Sequence, residues 1–331
     1  MILILSYTNI YEQGTDPVID WLLRYRVSFM RLSVSDIFSQ KVDYQIDVAR
    51  KDIIINGISV RDKVSVIWNR RLWGEQSFIT EGLSGQLKNE VEVEVKDFVY
   101  YLSYLLSDKK WLTPFNGGGV NKLEMLNLAD TCGLAIPRTQ LVNNRQNLWD
   151  FFFECDRQII SKPISDSREG YNHGGYTYVV FTTSIDEDKI KSLPERFFTT
   201  LFQEKVDIDF EIRVFFLGGK FSSTAIVNTA QKSVDRKLDN LAKTTHFVPY
   251  QLPQKVEESI TLFMQKLNLD IGSLDIIKTK SNQYYFLEVN PIGQYLSESE
   301  KCNFNIPQQI ANWLLTFEKA ENSIENERCT Y

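Results

Sequence analysis

Asp275, Glu288 and Asn290 are the residues of this chain whose types and spacing could do chemistry together. The stretch "LDIIKTKSNQYYFLEVNP" reads as two strands about a turn at Ser281-Asn282, and a hairpin centred between those two residues sets Asp275 directly across from Glu288. Strand side chains alternate faces, so Asn290 shares the face of Glu288. In such a pair the Cβ atoms lie roughly 4.5–5.5 Å apart. Two carboxylates that close in an otherwise apolar sheet repel one another and favour a bound cation. Carboxylate and amide oxygens suit Mg2+, which keeps several waters and takes its remaining ligands from phosphates. The set reads as a site for a metal-bound nucleotide. The plainer alternative is a solvated acid pair on an open sheet face, and the apolar flanks of both strands count against it.

Upstream lie further groups suited to phosphate. In "IISKPISD", Lys162 ends an apolar strand, where its stem packs on the sheet while its ammonium reaches an anion. The following loop carries Gly170, Gly174 and Gly175, whose backbones can approach phosphate oxygens, although a surface hairpin turn would look the same. In "LFQEKVDIDFEIRVFFLGGKFSSTAIV" a strand breaks after Val206, resumes, turns at Gly218-Gly219 and returns. That turn sets Arg213 opposite Thr224 and Glu211 opposite Ile226, with Glu211 and Arg213 on one face. A charged pair alternating with Ile212 and Val214 is ordinary for a half-exposed sheet; its company with Lys162 and the acid pair argues for more.

Positioning these groups takes more than one domain. Residues 1–112 read as alternating strands and helices: a strand at 2–6, a helix at 17–26, a strand at 27–33, strands flanking Asn56-Gly57, a strand at 64–68 and a long helix at 89–108. This is the pattern of a small doubly wound α/β domain. "WLTPFNGGGV" breaks every period and marks a boundary. A helix at 121–132 follows, capped by Gly133, then a strand at "AIPRTQLV". Residues 200–230 and 271–290 read as antiparallel strand pairs. The expected division is 1–112, 113–205 and 206–331.

Composition excludes several classes. The net charge of −6 carries no polybasic run, which argues against nucleic acid as partner. No run approaches the ~18 apolar residues of a membrane span, and the apolar start "MILIL" lacks the basic flank and cleavage site of a signal peptide. Cys132, Cys155, Cys302 and Cys329 share no CxxC spacing, which favours reduced thiols in a cytoplasm. With only His173 and His246 present, a His-rich zinc site is not expected.

Lys122 in "NKLEML", Lys162 in "SKP", "QEKV", "EIR", Asp275 and "LEVNP" follow in order and rough spacing the motifs of the ATP-grasp ligases, which this chain resembles over about residues 111–315. The resemblance implies an ATP-grasp fold behind an N-terminal doubly wound domain, and a reaction in which ATP phosphorylates a carboxylate before a nucleophile displaces the phosphate. It implies phosphate-binding roles for Lys122 and Lys162, and a hinge at Gln203, Glu204 and Val206 whose backbone meets adenine. It also implies a ribose contact from Asp209 or Glu211, Mg2+ ligation by Asp275, Glu288 and Asn290, and Arg213 facing the transferred phosphate.

"VIWNRR" (66–71), "NKLEMLNLADTCGLAIPRT" (121–139) and "QEKVDIDFEIRVFFLGGKF" (203–221) are most similar to the microviridin-type, or graspetide, peptide maturases. "VPYQLP" (248–253) resembles the subgroup of these found beside secretion genes. Those enzymes join Asp or Glu side chains of a precursor peptide to Ser or Thr as esters, or to Lys as amides. The resemblance implies a precursor with a leader segment as partner, and a homodimer. Tract 235–247 departs from it, lacking a clear acid-Phe/Trp-Arg element. Arg70 and Arg71 end a strand of the first domain, where both could meet acidic peptide side chains; a solvated arginine pair is the alternative. A ligase with another acceptor, such as a protein C-terminus or a small amino acid, shares all of these residues. An ATP-binding scaffold without turnover is a third reading.

Overall fold

The computed structural model describes all residues except 8–11, 40, 73–80, 116–120, 165–170, 174–175, 179–181, 229–244 and 329–331, and leaves out the side chains of 171–173, 177–178 and 319–328. Gly170, Gly174, Gly175, Cys329 and most of tract 235–247 therefore fall outside the described residues.

Three sheets carry the architecture. The first is parallel, with strands in the order Phe29–Leu32, Ile2–Ser6, Val66–Arg71 and Lys110–Leu112. Helix Gly85–Leu105 lies on one of its faces, burying Val95, Val99, Leu102 and Leu105 against Leu3, Leu5 and Ile67. That helical stripe decides the conformation of a segment whose start alternates Val and Glu like a strand. A small antiparallel sheet beside it turns at Asn56 and Gly57, both at positive φ.

The second sheet is antiparallel, in the order Thr183–Ile185, Ile159–Lys162, Arg196–Glu204 and Thr139–Asn144. Helix Arg145–Glu154 packs on it through Leu148, Phe151 and Phe152.

The third sheet has five antiparallel strands, in the order Thr245–Tyr250, Lys220–Asn228, Ile208–Leu217, Ile271–Thr279 and Tyr284–Asn290. One face is covered by helices Lys122–Thr131 and Gln254–Lys266. Met125, Leu126, Ile260 and Phe263 of these meet Ile212, Val214, Leu274 and Phe286. Fully burying a side chain such as Phe263 contributes roughly 1.5–3 kcal/mol. On the other face Phe215, Leu217 and Ile271 join Ile2, Ile4, Trp68 and Leu112 of the first sheet, together with helices Asp16–Arg24 and Ile306–Arg328. The first and third sheets thus share one apolar core, which holds them together and leaves the polar remainder of that face for chemistry. Among the described residues no helix is long and apolar enough to cross a membrane.

Candidate active site

The chemistry-bearing residues converge on that polar remainder. The hairpin Ile208–Leu217/Lys220–Asn228 turns at Gly218 and Gly219, both at positive φ, and sets Arg213 across from Thr224 and Glu211 across from Ile226, as the sequence predicts. On its other side Arg213 faces Asp275, and Asp275 faces Glu288. A row of three charged side chains therefore crosses three adjacent strands.

The Asp275–Glu288 pairing is as expected, but its cause is different. Thr279 N–H donates to Gln283 O (2.9 Å), so the turn is centred on Ser281 and Lys278 pairs with Tyr284. Continued without interruption, that register would set Leu287 across from Asp275. A β-bulge intervenes: Ile276 pairs with Phe286 and Asp275 with Glu288, leaving Leu287 as the extra residue. Phe286 and Val289 consequently both reach the core, while Glu288 and Asn290 share the opposite face with Asp275. Without the bulge, Glu288 would follow Phe286 into the core.

Electrostatics bind the row together. Arg213 Nε lies 2.6 Å from Asp275 Oδ1, an ion pair without hydrogen-bond alignment, with the two side chains only 15% and 22% exposed. Burial lowers the Arg213 pKa, but the charges of Asp275, Glu298, Glu288 and Glu211 outweigh it, and the net direction is up. Lys122 Nζ lies 3.4 Å from Glu288 Oε2. The lysine opens its helix because the Asn121 side chain caps it, accepting from the N–H groups of Leu123 (2.9 Å) and Glu124 (3.3 Å). Asn290 Oδ1 accepts from Ile292 N–H (3.1 Å), which fixes the amide and leaves the oxygen's second lone pair for a ligand.

The donors fit Mg2+. They are two facing carboxylates and one oriented amide oxygen, all hard oxygen donors. Among the described residues no group of three or more His, Cys, Asp and Glu is placed to hold a metal ion.

The other expected residues separate into two groups. Lys162 closes its strand across from Leu201, on the second sheet. Glu204 ends the neighbouring strand; its N–H donates to Arg138 O (2.8 Å) and its carboxylate accepts from Arg138 N and Nε, both at 3.2 Å. Val206 lies between that strand and the next, on the link from the second sheet to the third. Gln203 is buried and donates to Thr139 Oγ1 (2.8 Å), so its amide is spent on holding strands together. Between the two ribose candidates the structure draws a distinction. Asp209 is the extra residue of a second bulge and lies 3.4 Å from Lys278, whereas Glu211 shares the face of Arg213.

Arg70 departs from expectation. It is buried at 5% exposure and its guanidinium bonds within the chain, to Glu12, Ile292 O and Gly293 O, so it is not presented to a peptide. Burying a cation requires a counter-ion and full hydrogen bonding, and Glu12 and the two carbonyls supply both. Arg71 is 25% exposed, with Nε 2.8 Å from Glu12 Oε2. Sequence reasoning missed Glu12 and Glu298. Glu12 sits in an aperiodic stretch with no signal of burial; Glu298, only 8% exposed, follows the "NPIGQ" turn on a short helix, and that adjacency is the one available clue.

Comparison with protein-family profiles and with curated proteins finds no match. Solved structures do match, over nearly the whole chain. A macrocyclase from Microcystis aeruginosa, bound to its precursor peptide, is 24% identical with a TM-score of 0.79, covering 96% of this chain and 99% of that one. A RiPP-associated ATP-grasp ligase from Chryseobacterium gregarium, in complex with ADP and a leader and core peptide, is 22% identical with a TM-score of 0.81, covering 95% and 96%. The ATP-grasp ligase PsnB, complexed with a variant precursor, Mg and ADP, is 13% identical with a TM-score of 0.73, covering 95% and 97%. The chain has the ATP-grasp fold.

Proposed function

We propose that this chain is an ADP-forming ligase that activates Asp or Glu side chains of a ribosomal precursor peptide as acyl phosphates. The activated groups then close onto Thr or Ser hydroxyls as ω-esters, or onto Lys as ω-amides. The observation that carries this reading is the row Arg213–Asp275–Glu288, with Asn290, on the polar part of one face of the third sheet, met at Glu288 by Lys122 from the helix that covers the other face. The choice of a peptide substrate draws on the similar solved structures, which hold precursor peptides, ADP and Mg.

A carboxylate does not condense with a hydroxyl unaided, because its oxygen is a poor leaving group at neutral pH. Attack of the substrate carboxylate on the γ-phosphorus expels ADP; attack of the peptide hydroxyl on the acyl carbon then expels phosphate. Mg2+, when bound by Asp275, Glu288 and Asn290, supplies charge neutralisation at the phosphates. Arg213, half-buried and held in its cationic form by surrounding acids, spreads the charge of the transferring group. Lys122, on the helix against the third sheet, and Lys162, on the second sheet, hold phosphate oxygens. Glu204 and Val206 supply the adenine hinge, and Glu211 is favoured over Asp209 for the ribose because it shares Arg213's face.

The division into residues 1–112, 113–205 and 206–331, a homodimeric assembly, a cytoplasmic setting and Arg71 as a contact for acidic peptide side chains belong to the same proposal. With ATP, Mg2+ and a Thr-, Lys- and Glu-containing peptide encoded beside the gene, ADP and phosphate should appear only when peptide is present. Release of AMP and pyrophosphate would contradict acyl-phosphate chemistry.

A further inference from the structure

Arg70 is the extra residue of a bulge in the first sheet: Leu5 pairs with Asn69 and Ser6 with Arg71. Bulges re-aim side chains, and this one belongs to a strand 222 residues from the turn it touches. Arg70 Nη1 donates to Ile292 O (2.8 Å) and to Gly293 O (3.1 Å), while Thr113 Oγ1 donates to Pro291 O (3.5 Å). All three carbonyls of the turn that follows Asn290 are therefore held by Arg70 and Thr113, far from it in sequence. Inside the turn, Ile292 N–H binds the Asn290 side chain (3.1 Å) and Gly293 N–H binds Asn290 O (3.1 Å).

The support behind Arg70 is equally specific. Glu12 Oε1, on a carboxylate 1% exposed, lies 3.3 Å from its Nε and accepts from Thr15 Oγ1 (3.0 Å). The guanidinium stands over the Tyr295 ring at 5.6 Å, and the Tyr295 hydroxyl donates to Gly14 O. Gly14 leaves room for it: a Cβ there would come within 2.7 Å of Arg70 Nη2. A well-packed apolar side chain would fill this volume at less desolvation cost. What it could not do is fix two successive carbonyls at once.

We propose that Arg70, with Glu12 as counter-ion, is a positioning residue for the metal site: it fixes the Asn290–Gly293 turn, and through Ile292 N–H the orientation of the Asn290 amide. This rests on the reading of Asn290 as a metal ligand. Groups that orient metal ligands typically change metal affinity by about 10–100-fold when altered.

The test is Mn2+ affinity of the ADP-bound protein, measured by electron paramagnetic resonance, in Arg70→Lys. Lysine keeps the charge beside Glu12 but loses the fork that spans both carbonyls. Affinity should fall by at least about tenfold, with peptide binding unchanged. A folded Arg70→Lys protein with wild-type Mn2+ affinity overturns the proposal. If that variant does not fold, the double variant Arg70→Met/Glu12→Gln removes both buried charges and is measured in the same way; failure of both to fold would assign Arg70 to stability alone and also overturn it. Asn290→Ala separates the two layers. Unchanged Mn2+ affinity there defeats the ligand reading, whereas an effect there with none in Arg70→Lys defeats only the positioning role.

Discussion

Glu288→Gln should leave the fold intact and remove the response to metal-bound nucleotide. The side chain keeps its volume, and the bulge at Leu287 already directs position 288 away from the core. What folding loses is the contact with Lys122 at 3.4 Å, on a side chain that is 39% exposed; such pairs contribute about 0–1 kcal/mol. Unfolding entropy of about 2.1 cal/mol/K per residue, over 331 residues, makes 1 kcal/mol equivalent to roughly 1.4 °C in Tm. The unliganded variant should therefore melt within about 1.5 °C of wild type. Ligand binding is the larger effect. ATP with Mg2+ at a hundred times Kd stabilises by about 2.7 kcal/mol, a rise of roughly 4 °C. Glu288→Gln should lose most of that rise, and turnover should drop by about 10³-fold if some 4 kcal/mol of transition-state stabilisation depends on the metal. Differential scanning fluorimetry with and without ATP and Mg2+, alongside ADP release, measures both. A variant that keeps the Mg2+-dependent rise and wild-type turnover shows that Glu288 is not a ligand.

Lys162→Ala should raise the apparent KM for ATP well above any change in KM for peptide, because the loss falls on phosphate contacts; equal effects on both would mark a structural lysine. Gly14→Ala should lower Tm by about 1.5–4 °C, the equivalent of 1–3 kcal/mol of overpacking, since its Cβ would meet the Arg70 guanidinium at 2.7 Å; an unchanged melting curve would show that Arg70 yields freely.

What the sequence made legible follows from local rules. The glycine pair at 218–219 fixes one hairpin to the residue, and Gly133 at φ +81 ends its helix as its position predicts. The acid pair is legible only because two irregularities cancel: the turn is centred half a residue earlier than its composition suggests, and the bulge at Leu287 restores the register. Bulges are invisible to a reading built on strict alternation, and the chain places one beside Glu288, one beside Glu211 and one at Arg70. Arg70 is illegible in the sequence for a further reason. Its partners lie at Glu12 and at residues 292–293, and only the shared core of the first and third sheets brings them together. Long-range burial of a charge leaves no local pattern to find.

The mass of the peptide product tests the central claim most directly. Each ring closure removes one water and leaves the peptide's length unchanged, so a precursor treated with this protein, ATP and Mg2+ should lose about 18 Da per ring, in multiples, as expected for condensation through an activated carboxylate. Mild base then separates the linkages, since ester rings hydrolyse and regain water while amide rings persist. A precursor that emerges unchanged, or heavier by the mass of an added residue, would contradict ring formation and leave only the ATP-grasp fold standing.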